Sequence, residues 1–464
     1  MRTNTIHIGI CTQWGENIGS GHIMRSANLA LLLIDALQQH HTHKLFAKKT
    51  RTTTTYPISF FQESDTLDSA YKKITRKNII SKKASNNAHK NITITFYGLF
   101  ATPSDSKPIA KISPVQNSAQ TLRPISLPKE ISASFSHLNN VRIMCFFVQN
   151  VKYDMQKIIA RSTHIIFDSY LFSQALIAKA LCAYVKCLIF DDSTKLPAWF
   201  LRFSRMPYGR HLSLVNAALY AQNLLDSTTT LQEPSRRFRI GTSCAYLGAS
   251  FSLAPFVFAN TAKSTTKAPI RHILITLGAS NTQNPLVFLQ ALESLRSDIA
   301  RNTESSSDSV YIKESILARD FHIHIVGTMH NPKELASAYH HFYGLLSQSA
   351  FAELMGQCDL ALSAGGQTLY ELALNTLPTI IFPIASNQLA QSKAFAKSGA
   401  MMLCETHQLE LDSNTFVFND PAVLYTTLKH TLLCLTPKQR AEMKRRALQL
   451  AIGKRKYEIA HFFL

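Results

Sequence analysis

The chain alternates short apolar runs with polar turns, a pattern typical of repeated strand–loop–helix units. Residues 5–11 are apolar over the length of one strand, and after a glycine-containing loop the apolar positions of 22–37 recur at helical spacing. Three more apolar runs, at 141–148, 163–167 and 185–190, end in polar or acidic residues. Strands that are apolar on both faces are typical of a parallel sheet covered by helices. The first half of the chain therefore predicts a Rossmann-like α/β domain.

A second series of the same kind follows a proline-containing segment at 252–269, which predicts a linker. The predicted strands are 270–277, 321–326, 360–363 and 379–382, and they alternate with predicted helices at 285–297, 351–356 and 368–374. We therefore predict an α/β protein with two Rossmann-like domains, 1–255 and 268–464. A cleft between two such domains is a common position for a ligand site.

The segment 41–135 interrupts the first domain with polar and basic sequence. It contains a run of four threonines at 52–55 and the stretch KKASNNAHKN at 82–91. Within it, the apolar residues 92–100 are a candidate strand. Because the remainder buries little apolar surface, we predict a largely irregular, basic insertion in the first domain.

The net charge of +20 raises the question of an anionic partner. The surplus is concentrated, since residues 41–130 carry 15 Lys or Arg against 5 Asp or Glu, and residues 436–464 carry 8 against 2. Clustered charge of this kind suits either a solvated surface or attraction for a nucleotide, a nucleic acid or an acidic membrane face. Few aromatic residues are interleaved with the basic ones, so stacking platforms for bases are poorly supported. We therefore predict no nucleic-acid partner.

Eight cysteines are scattered through the chain without a CxxC pair, which predicts free thiols in a reducing cytoplasm rather than disulfides or a zinc site. The start of the chain has no signal-peptide pattern, and its longest apolar run is far shorter than the ~20 residues of a membrane span. His40, His41 and His43 could bind a metal, but in a polar insertion a solvated run is the better interpretation. We expect a cytoplasmic protein without integral membrane contact.

The loop after the first predicted strand combines glycine with histidine. Gly19 and Gly21 allow the backbone to approach a ligand closely, and the helix start that follows offers unpaired N–H groups and a positive dipole end. His22 falls in the first turn of that helix, at the predicted lip of the cleft, where a neutral imidazole can act as a base. A polar loop histidine without a chemical role is the alternative interpretation.

A second glycine-containing turn lies in the second domain. Ser363 ends a predicted strand, Gly365 and Gly366 turn the chain, and a helix begins near Thr368. Diphosphate oxygens fit against the N–H groups of such a helix start, with the Thr368 hydroxyl as a further donor. Glu371, one turn along, can accept from both ribose hydroxyls. The alternative is a tight turn whose glycines serve packing alone.

Other polar side chains stand at strand ends. Asp168 and Tyr170 follow the strand at 163–167, where ligand groups gather in parallel α/β sheets. Asn387 and Gln388 follow the strand predicted at 379–382 in the second domain. Amide side chains in that position can hydrogen-bond a sugar or its acetamido groups.

Together these segments resemble the hydrolases that remove UDP from UDP-2,4-diacetamido-2,4,6-trideoxy-β-L-altropyranose in the pseudaminic acid pathway. That family is related to the GT-B glycosyltransferases, including the N-acetylglucosaminyltransferase of peptidoglycan synthesis. The motifs that carry the resemblance are I-G-x-G-H-x-x-R at 18–25, D-x-Y at 168–170, F-D-D at 190–192, S-A-G-G with a following Glu at 363–371, and N-Q at 387–388. The sequence departs from the family at 278–281, where G-A-S-N replaces G-G-(T/S)-D, and at Gly248, where arginine is usual.

The resemblance implies a GT-B fold and an inverting hydrolysis, in which His22 deprotonates the attacking water and Tyr170 or Asp168 orients His22. It implies a UDP-sugar as the partner, and neither a metal nor a cofactor. The implied nucleotide-sugar contacts are Gly19, Gly21, Gly278, Ser363, Gly365, Gly366, Thr368, Glu371, Asn387 and Gln388. The alternative is a glycosyltransferase of the same fold, whose basic helix at 437–457 would suit an anionic membrane surface.

Overall fold

The computed structural model contains two large β-sheets that follow one another along the 464-residue chain. It describes residues 6–13, 21–49, 92–99, 122–127, 129–136, 138, 141–148, 151–169, 176–177, 179–180, 183, 185–191, 217–221, 235–240, 243–259, 269–278, 285–301, 316–327, 337–385, 388–404, 411–412, 415–416 and 420–461. Within these residues, the helices are all too short or too polar to cross a lipid bilayer.

The first domain is built around a nine-stranded sheet. Its elements are β1 (Ile6–Gln13), α1 (Gly21–Lys49), β2 (Ile92–Leu99), β3 (Leu122–Pro124), α2 (Lys129–Phe135), β4 (Val141–Val148), α3 (Val151–Arg161), β5 (His164–Asp168), β6 (Lys186–Asp191), β7 (Ala217–Ala221), β8 (Ser235–Ile240) and β9 (Ser243–Gly248). The strand order is β3-β4-β2-β1-β5-β6-β7-β9-β8. The edge strands β3 and β8 are antiparallel to their neighbours, and the strands between them are parallel.

The second domain contains a six-stranded sheet that is parallel throughout. Its elements are β10 (Ile270–Thr276), α4 (Pro285–Arg301), β11 (Leu317–Val326), β12 (His340–Tyr343), α5 (Gln348–Gln357), β13 (Leu360–Ser363), α6 (Thr368–Asn375), β14 (Thr379–Ile381), α7 (Leu389–Lys397), β15 (Met402–Leu403), the hairpin β16 (Leu411–Asp412) and β17 (Thr415–Phe416), α8 (Pro421–Leu433), α9 (Pro437–Gln449) and α10 (Tyr457–His461). The strand order is β12-β11-β10-β13-β14-β15.

The two sheets share one topology. In each, the first strand lies in the middle, the next two parallel strands add on one side, and the following strands add on the other. This is the doubly wound Rossmann order, and its ligands bind where the order reverses. The reversal falls between β1 and β5 in the first domain and between β10 and β13 in the second. The fold class predicted from the sequence, two Rossmann-like α/β domains, is confirmed by these strand orders.

One strand of the first sheet comes from the predicted insertion at 41–135. β2 pairs with β1 on one side and with β4 on the other, because its side chains are apolar or small enough to be buried on both faces. α1 also continues to Lys49, and β3 and α2 lie near the end of the same range. The stretches 50–91 and 100–121, which hold most of the predicted irregular sequence, lie outside the described residues.

The chain crosses between the two domains twice. After β9 it runs through two short 3-10 turns, Ala249–Phe251 and Phe256–Phe258, into the second domain. The C-terminal segment returns, and the N–H of Arg455 donates to the Ser250 carbonyl at 2.8 Å. α10 then packs against α1, with Ile459 inside the core of the first domain. A direct contact joins the domains as well, since Gln348 of α5 donates to Asn28 of α1 at 3.1 Å.

Candidate active site

The point of strand-order reversal in the first sheet holds the predicted base. Thr12 of β1 lies opposite Asp168 of β5 in the parallel register, so the two strands end side by side. Beyond β1, the described chain resumes with α1 at Gly21, which places His22 in the first turn of the helix. Asp168 and His22, predicted from separate segments of sequence, are thereby brought together.

Three residues of α1 share the Asp168 carboxylate. Nδ1 of His22 is 2.8 Å from Oδ1 of Asp168, and Nη2 of Arg25 donates to the same oxygen at 2.5 Å. The other oxygen, Oδ2, accepts from Nε of Arg25 at 3.2 Å and from Oγ of Ser26 at 2.8 Å. Since residues three and four positions apart lie on one helix face, a single turn of α1 supplies all of these donors.

The Asp168 carboxylate is fully buried and ionised. Burial alone would raise its pKa, but the charge of Arg25 and the hydrogen bond from His22 outweigh that effect and lower the pKa to about 2. A carboxylate only accepts hydrogen bonds, so Nδ1 of a neutral His22 carries the hydrogen and Nε2 carries the lone pair. The His22 side chain is 13% exposed, which leaves part of the ring open to solvent. The arrangement can present a base of fixed tautomer.

The second domain has a corresponding point of reversal, where Thr276 of β10 lies opposite Ser363 of β13. Ser363 is buried, and its hydroxyl donates to the Ala364 carbonyl at 3.0 Å. Gly278 follows β10 with φ of 93°, a left-handed conformation that favours glycine. An added Cβ there would meet none of the described residues within 4 Å, so the backbone conformation alone requires this glycine.

The two adjacent glycines after β13 have different surroundings. A Cβ on Gly365 would lie 2.3 Å from Oγ of Ser392 and 2.8 Å from Cβ of Gln388, both on the segment that begins α7. A Cβ on Gly366 would meet none of the described residues within 4 Å. Gly365 is therefore a packing glycine, whereas none of the described residues lies at the Cβ position of Gly366, where a ligand could lie.

Two glutamine side chains hold this turn. Oε1 of Gln388 accepts from the N–H groups of Gly365 and Ile384, each at 3.0 Å. Nε2 of Gln391 donates to the carbonyls of Gly365 at 2.9 Å and Gly366 at 2.7 Å. The amide oxygen of Gln388, predicted from the sequence as a sugar contact, is thus engaged with the backbone, and the N–H of Gly365 is not directed at a ligand.

Glu371 is an acidic residue at the same edge. It lies in the first turn of α6, which begins at Thr368. Burial raises the pKa of Glu371 to about 7. The residue is half-buried, and its carboxyl makes neither a hydrogen bond nor an ion pair with the described part of the chain. Such a group suits a ligand hydroxyl.

Three predicted site residues, Gly19, Tyr170 and Asn387, lie outside the described residues. Conversely, sequence reasoning did not identify the contacts of Arg25 and Ser26 with Asp168. The available signal was their spacing, three and four residues after His22 on a predicted helix.

A histidine cluster on the second sheet was also missed. His272 of β10 lies 3.0 Å from His324 of β11 (Nδ1 to Nε2), and His322 of β11 lies 3.0 Å from His341 of β12. Burial, and secondarily the neighbouring imidazoles, lower the pKa of His324 to about 4. The alternating histidines at 322 and 324 were the available signal, since they share one strand face. In the part of the chain that the structure describes, no three His, Cys, Asp or Glu side chains are arranged to hold a metal ion.

Comparison with known proteins finds similarity to a curated bacterial protein. The chain is 33% identical over 158 residues to the pseudaminic acid cytidylyltransferase and UDP-2,4-diacetamido-2,4,6-trideoxy-β-L-altropyranose hydrolase of Helicobacter pylori. The aligned region covers 33% of this chain and 24% of the Helicobacter pylori protein. No model of a known protein family matches the chain.

Solved structures of similar architecture include MurG of Acinetobacter baumannii, at 11% identity and a TM-score of 0.43 over 98% of this chain and 99% of that one. Staphylococcus aureus MnaA with UDP has 11% identity and a TM-score of 0.46, over 98% and 94%. LpCGTa with UDP has 12% identity and a TM-score of 0.46, over 99% of both chains. Within an aligned region that covers 33% of its length, the chain is similar in sequence to a protein named for a cytidylyltransferase and a UDP-sugar hydrolase of the pseudaminic acid pathway.

Proposed function

We propose that this chain hydrolyses a UDP-linked diacetamido-trideoxyhexose, UDP-2,4-diacetamido-2,4,6-trideoxy-β-L-altropyranose, with His22 as the base. The observation that carries the proposal is the 2.8 Å contact between His22 and the buried Asp168 at the end of β5. It fixes the tautomer in which Nε2 can take a proton from water. The similarity to the Helicobacter pylori protein supports the class of substrate.

The second domain would hold UDP at the reversal between β10 and β13. The Cβ position of Gly366, where none of the described residues lies, and the start of α6 at Thr368 suit the diphosphate, because helix N-termini attract anions. The Glu371 carboxylate would accept from the ribose hydroxyls. Gly278 and Ser363 would shape the surrounding backbone. Asn387 would contact the sugar, as the sequence predicts.

In the proposed reaction, a water oxygen forms a bond to the anomeric carbon while Nε2 of His22 takes its proton. The bond between that carbon and the diphosphate oxygen breaks, and its electron pair leaves with UDP, so the anomeric configuration inverts. UDP is a good leaving group, which makes a strong general acid less necessary than in ordinary glycoside cleavage. The scheme assigns no step to a metal ion.

The test is to incubate the purified protein with the UDP-sugar alone and to follow the products by NMR. We expect UDP and the free sugar, with inverted configuration in the first product formed. His22→Asn should lower kcat by roughly 100- to 10,000-fold and leave UDP affinity nearly unchanged. His430→Asn, which changes an exposed histidine of α8, is the matched control and should retain activity.

Two outcomes contradict the proposal. A His22→Asn variant that keeps most of its turnover would remove the proposed base. Absence of UDP release from the wild type, restored by adding a lipid or glycan acceptor, would instead identify a glycosyltransferase that uses the same UDP site.

A further inference from the structure

We propose that the histidine cluster of the second sheet is a pH-sensitive switch, which holds the edge strand β12 on β11 while its imidazoles are neutral and releases β12 when they are protonated. The cluster consists of His272 of β10, His322 and His324 of β11, and His341 of β12. The inference does not depend on the proposed function, because it concerns the folded chain without a substrate.

The register of three neighbouring strands places the four imidazoles on one face of the sheet. His272 lies opposite His322, and His324 lies opposite His341. His322 and His324 are two residues apart, so their side chains leave β11 on the same face. The ring centroids of neighbouring members lie 4.7 to 5.3 Å apart. The cluster therefore stays together only while β12 is paired with β11.

Two hydrogen bonds between imidazoles limit the charge that the cluster can hold. Nδ1 of His272 is 3.0 Å from Nε2 of His324, and Nδ1 of His322 is 3.0 Å from Nε2 of His341. In each pair one nitrogen donates and the other accepts, which requires at least one neutral ring. When both rings of a pair are imidazolium ions, two donors face each other and like charges repel. Full protonation therefore breaks both hydrogen bonds.

His324 is the buried centre of the cluster. The residue is 6% exposed, and its Nδ1 lies 3.1 Å from the hydroxyl of Tyr343. The Cys358 thiol interacts with Tyr343 but stays neutral, because burial raises its pKa. Among the described residues, the groups whose charge acts on His324 are the other imidazoles of the cluster. Their charge has the same sign as an added proton, so they oppose its uptake.

Two carboxylates act on the cluster, and both do so through His272 at its rim. Oδ2 of Asp359 accepts from the backbone N–H of His272 at 3.0 Å. Asp320 is exposed and is paired with Arg271 at 3.1 Å. Burial and the imidazole of His322 outweigh these carboxylates and lower the pKa of His272. The rim therefore does not stabilise a charged cluster.

The elements around the cluster carry further charged groups. These are Arg440 and Lys444 of α9, which interact with Asp359, and Glu293 and Arg296 of α4, which contact the segment of β12. Nε2 of His340 lies 2.8 Å from Oε1 of Glu293, and the guanidinium of Arg296 lies 4.6 Å from the ring of Tyr339. His340 alternates with His341 along β12, so its side chain lies on the opposite face of the sheet. It is a titratable residue of the same strand outside the cluster.

Protonation and release of β12 are linked. Once the strand separates, the imidazoles approach their ordinary pKa of about 6.5 and take up protons that the closed cluster excludes. Burial, and secondarily the neighbouring imidazoles, hold the pKa of His324 at about 4 in the closed state. Each pH unit below 6.5 therefore favours opening about tenfold for one freed histidine. β12 is held above pH 6.5 and is released progressively as the pH falls.

Two backbone hydrogen bonds report on the attachment of β12. The N–H of Ile323 donates to the Tyr339 carbonyl at 2.8 Å. The N–H of Gly327 donates to the Tyr343 carbonyl at 3.1 Å. The experiment is hydrogen exchange of the full-length protein, read at these amides by mass spectrometry and corrected for the intrinsic pH dependence of exchange. We expect their protection to fall at least about tenfold between pH 7.5 and pH 5.5. The amide of Cys404, which bonds the opposite edge of the same sheet, is the control and should change little.

Matched variants separate the cluster from the rest of the strand. His324→Gln and His341→Gln each remove one titrating ring and should lose most of the pH-dependent fall in protection. His340→Gln changes the opposite face and should keep it. If His324→Gln does not fold, the half-buried His322 can be replaced by Gln in its place.

Three results overturn the proposal. The first is protection of Ile323 and Gly327 that stays constant between pH 7.5 and pH 5.5 in the wild type. The second is an equal fall in the wild type and in the variants of the cluster. The third is an equal fall at Cys404, which would show unfolding of the whole sheet. Because no substrate is used, a chain that hydrolyses no UDP-sugar but shows the expected exchange refutes the proposed function alone.

Discussion

Adding one methyl group at Gly365 tests packing, and adding one at the neighbouring Gly366 tests ligand binding. In Gly365→Ala the new Cβ would lie 2.3 Å from Oγ of Ser392, 2.8 Å from Cβ of Gln388 and 3.2 Å from the Gln388 carbonyl oxygen. Carbon atoms in contact are usually about 3.5–4.0 Å apart, so both neighbours must move. In Gly366→Ala the methyl meets none of the described residues within 4 Å.

The cost of Gly365→Ala follows from what these neighbours hold. The Ser392 hydroxyl donates to the Gln388 carbonyl at 2.7 Å, and turning it away loses about 1 kcal/mol. Gln388 cannot retreat easily, because its Oε1 holds two backbone N–H groups. Overpacking typically costs about 1–3 kcal/mol, which brings the total to roughly 2–4 kcal/mol. In a domain of about 200 residues, where each kcal/mol shifts the melting temperature by about 2–4 °C, this lowers the melting temperature by roughly 4–16 °C.

Gly366→Ala should behave in the opposite way. Gly366 is not among the positive-φ glycines of the described residues, so alanine fits the backbone and gains about 0.4–1 kcal/mol through the unfolded state. If the diphosphate lies against Gly366, the methyl occupies its place, and UDP affinity should fall at least about tenfold, or 1.4 kcal/mol.

Differential scanning fluorimetry and calorimetric UDP titration of both variants provide the assay. Equal melting temperatures for Gly365→Ala and Gly366→Ala would refute the steric reasoning. A Gly366→Ala variant that binds UDP as tightly as the wild type would place the diphosphate elsewhere.

Two further predictions concern pH. Burial lowers the pKa of His324 to about 4 from an ordinary value of 6.5, so the folded state holds this side chain unprotonated. The free energy of unfolding should therefore be highest above pH 6.5 and should fall by about 3 kcal/mol as the pH falls from 6.5 towards 4. The melting temperature of His324→Gln should depend less on pH over this range. The same pH dependence in His324→Gln and in the wild type would contradict the lowered pKa of His324. Because the pKa of Glu371 is raised to about 7, wild-type affinity for UDP should weaken from pH 8 to pH 6, as the carboxylate that accepts from ribose is lost. Glu371→Gln should bind UDP more weakly in calorimetry, and the only pH dependence left in its UDP affinity should be that of UDP itself. If UDP affinity changes with pH equally in the wild type and in Glu371→Gln, Glu371 does not bind the ribose.

The local pattern of apolar and polar residues predicted the repeated strand–loop–helix units and the positions of several site residues. Strand–loop–helix periodicity predicted two Rossmann-like domains, which the strand orders confirm. It also placed His22 in the first turn of a helix and Asp168 at the end of a strand, as the structure does. These properties depend on neighbouring residues along the chain, so a single sequence carries them.

The local pattern could not predict which distant strands pair with each other. β2 lies in the middle of the first sheet although polar sequence precedes and follows it, because partner choice depends on strands far along the chain. The same holds for the histidine cluster, whose members on three strands meet only through the register of β10, β11 and β12.

The sequence by itself determined which residue types stand at the turns and strand ends, because backbone preference and side-chain periodicity are local properties. Only the tertiary structure decided that Arg25 and His22 share Asp168, 143 and 146 residues away. Only it decided that Gly365 packs against Gln388 and Ser392, while no described residue lies at the Cβ position of Gly366. Burial, charge compensation and free volume arise from segments that are distant in sequence and adjacent in space. The chemistry available to His22 is therefore a property of the folded chain.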